Sequence, residues 1–152
     1  MTPPVLEIAG LRLAFRSWRG TTEVLHGIDL SVAEGERVAL VGESGSGKSI
    51  TARLVLGLAQ ELPGARVSGR LAFRGEDLAR LSARGRHRLR GTRMSMIFQD
   101  PTSSLNPVFP IAAQFHEVLR RADTGIRREA AEARAAALLD EVSIPNPERV
   151  LA

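Results

Sequence analysis

Gly42-Glu43-Ser44-Gly45-Ser46-Gly47-Lys48-Ser49 is the stretch whose reading decides the fold. It fits the pattern G-x-x-x-x-G-K-[ST] of a phosphate-binding P-loop. Each residue type has a physical reason to be there. Glycines let successive backbone N–H groups turn inward around an anion. A helix that follows adds the positive end of its dipole. Lys48 supplies a compact cation that can reach terminal phosphates, and the Ser49 hydroxyl can ligate Mg²⁺. Lys48 is also the only lysine in the chain, so the one ammonium side chain stands where such a loop needs it.

The flanks supply the context the motif requires. Arg37-Val-Ala-Leu-Val41 is a short apolar run of the kind a buried parallel strand shows. Ile50 to Leu58 is apolar enough for a buried helix. Strand, glycine loop and helix follow in the expected order. Upstream, Leu6 to Phe15 alternates loosely and reads as a strand with a break at Gly10. Trp18 to Thr21 reads as a turn, and Val24 to Val32 as a second strand with Ile28, Leu30 and Val32 on one face. An antiparallel β layer is thus expected ahead of a P-loop β–α core.

Downstream, Val67 to Arg74 reads as a strand, Leu78 to Arg90 as weakly helical and Arg93 to Phe98 as a strand. Residues 101–110 form a loop with three prolines. Ile111, Phe115, Val118 and Leu119 share a helical face. Ile126 to Val142 is rich in Ala, Glu and Arg, with Ala131, Ala135, Leu138 and Val142 on one stripe, and Pro145 and Pro147 are expected to stop it.

Composition bounds the function. The chain has 152 residues, 43% hydrophobic and 25% charged, which suits one globular domain with a real core. No stretch approaches a membrane span, and no signal peptide pattern opens the chain. Cysteine is absent, so there is neither a disulfide framework nor a thiolate metal site. His26, His87 and His116 lack metal-ligand spacing. The net charge is +4. The arginines are scattered apart from a denser run from Arg84 to Arg93, and only 4% of residues are aromatic. That pattern reads as a solvated basic face before a nucleic-acid surface.

A second motif sharpens the first. Ile97-Phe98-Gln99-Asp100-Pro101 follows the P-loop by some fifty residues. A glutamine beside a phosphate site can ligate Mg²⁺ through its amide oxygen and orient an attacking water. Joined to the P-loop at this spacing, it resembles the Q-loop of ABC-type ATPases. Met96-Ile-Phe-Gln-Asp-Pro-Thr-Ser-Ser-Leu-Asn-Pro-Val108, the loop Gly42–Ser49 and the segment Ser143–Arg149 together resemble the ATP-binding subunits of dipeptide, oligopeptide and nickel importers.

That resemblance implies a fold of the P-loop NTPase, ABC ATPase type. It divides into a nucleotide-binding core over about 1–100 and the start of a helical subdomain over about 101–152. It implies Mg-ATP as ligand. Gly42, Ser44, Gly45, Ser46, Gly47, Lys48 and Ser49 would cradle the phosphates, and Thr51 would either reach the α-phosphate or face the helix interior. Phe15 would stack on adenine, with Trp18 as a weaker candidate. Ser49 and Gln99 would hold the metal, and Lys48 and Gln99 would be the catalytic groups. The implied partners are transmembrane permease subunits, a second ATP-binding subunit and, indirectly, a solute-binding protein. The implied place is the cytoplasmic face of the inner membrane.

The same resemblance implies a Leu-Ser-Gly-Gly-type signature, an acidic Walker B strand and a switch histidine, none of which occurs in these 152 residues. The chain is therefore expected to be an N-terminal portion that binds nucleotide and hydrolyses it poorly alone. Two echoes do not supply the parts. Leu81-Ser-Ala-Arg-Gly85 precedes the Q-loop, the wrong order for a signature. Ala136-Ala-Leu-Leu-Asp-Glu141 ends an alanine-rich helical pattern, whereas a Walker B segment is a strand. Two alternative classes remain. One is an ABC-type ATPase acting on nucleic acid. The other is a self-contained P-loop kinase or GTPase, whose acid-bearing strand and base-recognition motif are not found here. Finally, Val38 to Val41 is expected to be association-prone if its strand neighbours are missing.

Overall fold

The structure, a computed structural model, describes residues 3–100 and 104–151. The chain forms two compact units, Met1–Arg90 and Gly91–Ala152. Pro101, Thr102 and Ser103 of the glutamine motif lie outside the described residues.

The first unit is built on a four-stranded antiparallel sheet of order β2-β1-β3-β4. Its strands are β1 (Leu6–Ser17), β2 (Gly20–Val32), β3 (Ala65–Phe73) and the two-residue β4 (Glu76–Asp77). The break expected at Gly10 is a bulge within a continuous strand. Ile8 and Leu11 both face the core although they are three residues apart, which simple alternation forbids. Irregularities in register, between Ile8 and Leu11 against β2 and between Ala9 and Arg12 against β3, restore the phase. Gly10 takes φ +55, and the Asp29 carboxylate accepts its N–H at 2.8 Å. The facing Gly69 must be glycine, because a Cβ there would lie 2.4 Å from the Gly10 carbonyl oxygen.

Leu11, Leu13, Leu25, Leu54, Leu71 and Leu78 are the large side chains fully buried in this unit. Each such burial is worth about 1.5–3 kcal/mol. Leu54 belongs to α1 (Lys48–Val55), which buries Thr51 and Leu54. After α1 come a 3₁₀ turn (Ala59–Glu61), β3, β4 and α2 (Ala83–Leu89). The signature-like Leu81–Gly85 is the start of α2, where the Ser82 hydroxyl accepts the Gly85 N–H at 3.1 Å as an ordinary N-cap.

Two expected strands do not form. Residues 37–41 run without regular structure, and Val38, Leu40 and Val41 are exposed, Val41 by 94%. Residues 95–99 are likewise outside any strand, with Ile97 exposed. The physical reason is shared. A β-favouring run becomes a strand only against a neighbour's ladder, and among the described residues no strand pairs with either segment.

The second unit contains α3 (Ile111–Ala122), α4 (Arg128–Glu141) and α5 (Pro147–Leu151). Its core is Ala112, Ala135 and Leu151, with Ile111, Phe115, Ala136 and Leu139 packed against it. The Walker B echo, Ala136–Glu141, is helical as its alanine content predicts. Ala131 and Ala135 are buried as the stripe expects, but Val142 and Val118 are exposed. Val142 follows the last helical residue and so leaves the stripe. Pro147 starts α5, at a position whose missing N–H has no helical partner to lose.

Candidate phosphate-binding site

The N-terminus of α1 is prepared for an anion. Its cap is Gly47 at φ +93; no side chain caps it, and no acidic residue sits in its first turn. The first N–H groups of a helix lack internal acceptors, so an uncapped end presents them together with the positive end of the dipole.

The loop ahead of α1 is drawn tight around one cation. Lys48 Nζ donates to the Gly42 carbonyl at 2.8 Å, the Glu43 carbonyl at 2.6 Å and the Ser46 hydroxyl at 3.1 Å. An ammonium has three protons, and all three are engaged. The two carbonyls fix the head group to the loop backbone. The Ser46 contact is the one a stronger acceptor could replace. A Cβ at Gly42 would lie 2.9 Å from Ser46 Oγ, so glycine leaves the space this hydroxyl uses. At Gly47 a Cβ would lie 2.6 Å from Leu25 Cδ2, so the loop is pressed onto β2. Gly45 takes φ +83 with open space around it.

The other expected residues fall as follows. Ser44, Ser46 and Ser49 are exposed around the loop. Thr51 is 3% exposed, and both its hydroxyl and its N–H donate to the Gly47 carbonyl, at 2.8 and 2.9 Å. Phe15 is half-buried on β1 and pairs with Thr22 of β2 and Ala65 of β3. The pairing with β3 is unbroken from Arg12 to Phe15, so Phe15 shares a face with Leu13. Leu13 pairs with Leu25, against which Gly47 packs. Two residues of strand put Phe15 about 7 Å beyond Leu13 along that face. Trp18 stands exposed at the hairpin turn with the Arg19 guanidinium 4.5 Å from its ring centre. Gln99 is exposed and belongs to the second unit, where it follows the irregular segment just described. Among the described residues no group of three His, Cys, Asp or Glu could hold a metal.

One residue of the site region escaped the sequence reading. Arg90 ends the basic run that reads as a solvated face, yet its side chain is only 20% exposed. It donates from Nε to the Leu56 carbonyl at 2.6 Å, and from Nη2 to the Gly57 carbonyl at 2.9 Å and Glu61 Oε1 at 2.7 Å. The signal that could have found it is Gly57, a glycine just past an apolar helical run, which marks a helix end in need of a cap.

Comparison with known proteins adds the following. The family model described as ABC transporter matches residues 25–152. The oligopeptide transport ATP-binding protein OppD of Bacillus subtilis is 40% identical over 145 residues, covering 95% of this chain and 40% of that protein. The probable D,D-dipeptide transport ATP-binding protein DdpD of Escherichia coli is 40% identical over 151 residues, covering 99% of this chain and 46% of its own length. The chain thus spans less than half the length of these relatives. A bacterial Atm1-family ABC exporter, solved with ATP bound, is similar in structure with a TM-score of 0.54 and 26% identity, over 96% of this chain and 23% of that one.

Proposed function

The chain belongs to the ABC transporter family, and from that membership we propose that it is the nucleotide-binding portion of an ATP-driven import subunit, taking Mg-ATP and serving uptake of peptides or a related small solute. The observation that carries the reading is the Lys48 head group, tethered to two loop carbonyls at the uncapped start of α1. In this reading the backbone N–H groups of Gly45 to Ser49 surround the terminal phosphates. Lys48 exchanges its Ser46 contact for a phosphate oxygen. The Ser49 hydroxyl would hold Mg²⁺, which would neutralise phosphate charge when bound. By its amide chemistry Gln99 would be a metal ligand and would orient water, and Phe15 would stack on the base.

The names of the relatives support a peptide cargo. The partners that go with it are permease subunits, a second ATP-binding subunit and a solute-binding protein, with the chain peripheral at the cytoplasmic face. No described helix is long and apolar enough to cross a membrane. The nucleic-acid reading loses support, because Arg86 and Arg90 of the basic run are tied to backbone carbonyls of their own unit.

The test is titration of the purified chain with Mg-ATP beside Lys48→Ala. A charged hydrogen bond is worth about 1.5–3 kcal/mol, so the variant is expected to bind roughly ten- to a hundredfold more weakly. Its far-UV circular dichroism should stay unchanged. Equal affinity of the two proteins would defeat the reading.

A further inference from the structure

We infer that Arg90 is a positioning residue for the phosphate site and acts through the far end of α1; this rests on the nucleotide-binding reading above. α1 has eight residues, about 12 Å of helix. A helix that short is marginal alone, so its orientation comes from tertiary contacts: Thr51 and Leu54 are buried, and both ends are tied. At the N-terminal end Gly47 presses on Leu25. At the other end the carbonyls of Leu56 and Gly57 are bound by the Arg90 guanidinium, and the Leu54 carbonyl accepts the Gln60 amide at 3.0 Å.

The clamp is specific to arginine. One planar fork reaches two successive carbonyls and the Glu61 carboxylate together, which a lysine point charge cannot. The hydrogen bond from Arg90 holds the Glu61 carboxyl below its ordinary value. The clamp also requires Gly57, which takes φ +72. A Cβ there would lie 2.6 Å from Arg86 Cδ and 3.2 Å from Arg90 Nη2. A cation at this end opposes the negative end of the helix dipole.

Lys48, Ser49 and the first-turn N–H groups ride on the same short rod. Releasing its C-terminal end lets the rod tilt, and the loop then spends less time in its binding-competent arrangement. Apparent affinity falls by that fraction.

The experiment compares the purified chain with Arg90→Ala and Arg90→Lys. Each is titrated with Mg-ATP well below its melting temperature. Hydrogen exchange of the Ser46 and Thr51 amides, bonded to the Glu43 and Gly47 carbonyls of the loop, is followed without nucleotide. Arg90→Ala is expected to bind about tenfold more weakly with faster exchange at those amides, and Arg90→Lys to fall between it and the parent. A purely structural Arg90 would lower the melting temperature while leaving affinity and exchange within twofold of the parent, and that result overturns the inference. If Arg90→Ala does not fold, Arg90→Lys decides: parent-like affinity and exchange overturn it, and intermediate values support it. Parent protein that binds no better than Lys48→Ala removes the nucleotide reading and this inference together. Normal parent binding with an unaffected Arg90→Ala removes this one alone.

Discussion

Glycines at 45 and 47 look alike in the motif, but the structure separates them. Both take positive φ, which disfavours any side chain. Gly45 has open space where a Cβ would go, whereas at Gly47 that atom would meet Leu25 at 2.6 Å. Gly45→Ala should therefore cost only the backbone term, about 1–2 kcal/mol. Gly47→Ala adds a steric clash with a core leucine and should cost about 2–4 kcal/mol in all. Urea denaturation of the two variants side by side checks the order; equal losses would contradict it. The residue types of the loop were legible because polyphosphate chemistry demands them. The contact with Leu25 was not, since it joins residues 22 positions apart and no spacing rule announces it. Arg90 escaped for the same reason: in the sequence it is one of several arginines, and only the fold turns its guanidinium onto the end of α1.

The elements that could be read in advance are those whose stabilising contacts are local or adjacent. The hairpin of β1 and β2 follows from alternation and a turn at Trp18-Arg19. Helices α3 and α4 follow from their composition and spacing. Residues 37–41 and 93–98 have the same apolar character as true strands, yet a strand is completed by its neighbour, and none of the described strands pairs with them. The same dependence on context sets what a truncated side chain costs. Leu13 is fully buried and pairs with Leu25 and Val67 on either side. Leu13→Ala should cost about 2–5 kcal/mol. Val142 was expected on the buried stripe of α4 but is 67% exposed. Val142→Ala should change stability by less than about 0.5 kcal/mol. Thermal or chemical unfolding of both variants tests the assignment, and a large loss at Val142 would restore it to the core.

For the molecule as a whole, the unpaired runs have a consequence in solution. Val38, Leu40 and Val41 expose a β-favouring apolar segment of the kind that invites pairing with another chain. The purified chain is expected to self-associate as its concentration rises. Val41→Glu, a charge at the most exposed of these positions, should weaken that association. Sedimentation velocity over a concentration series reads both, and a parent that stays monomeric throughout would count against the expectation. The sequence by itself determined the chemistry of the loop and, through Gln99 and its neighbours, the family, because those residues act through types and spacings within short segments. Tertiary structure alone decided the rest. It pressed Gly47 onto Leu25 and set Arg90 at the end of α1. It left two apolar runs without a ladder. Those outcomes depend on which distant groups come within reach, and only folding in three dimensions settles that.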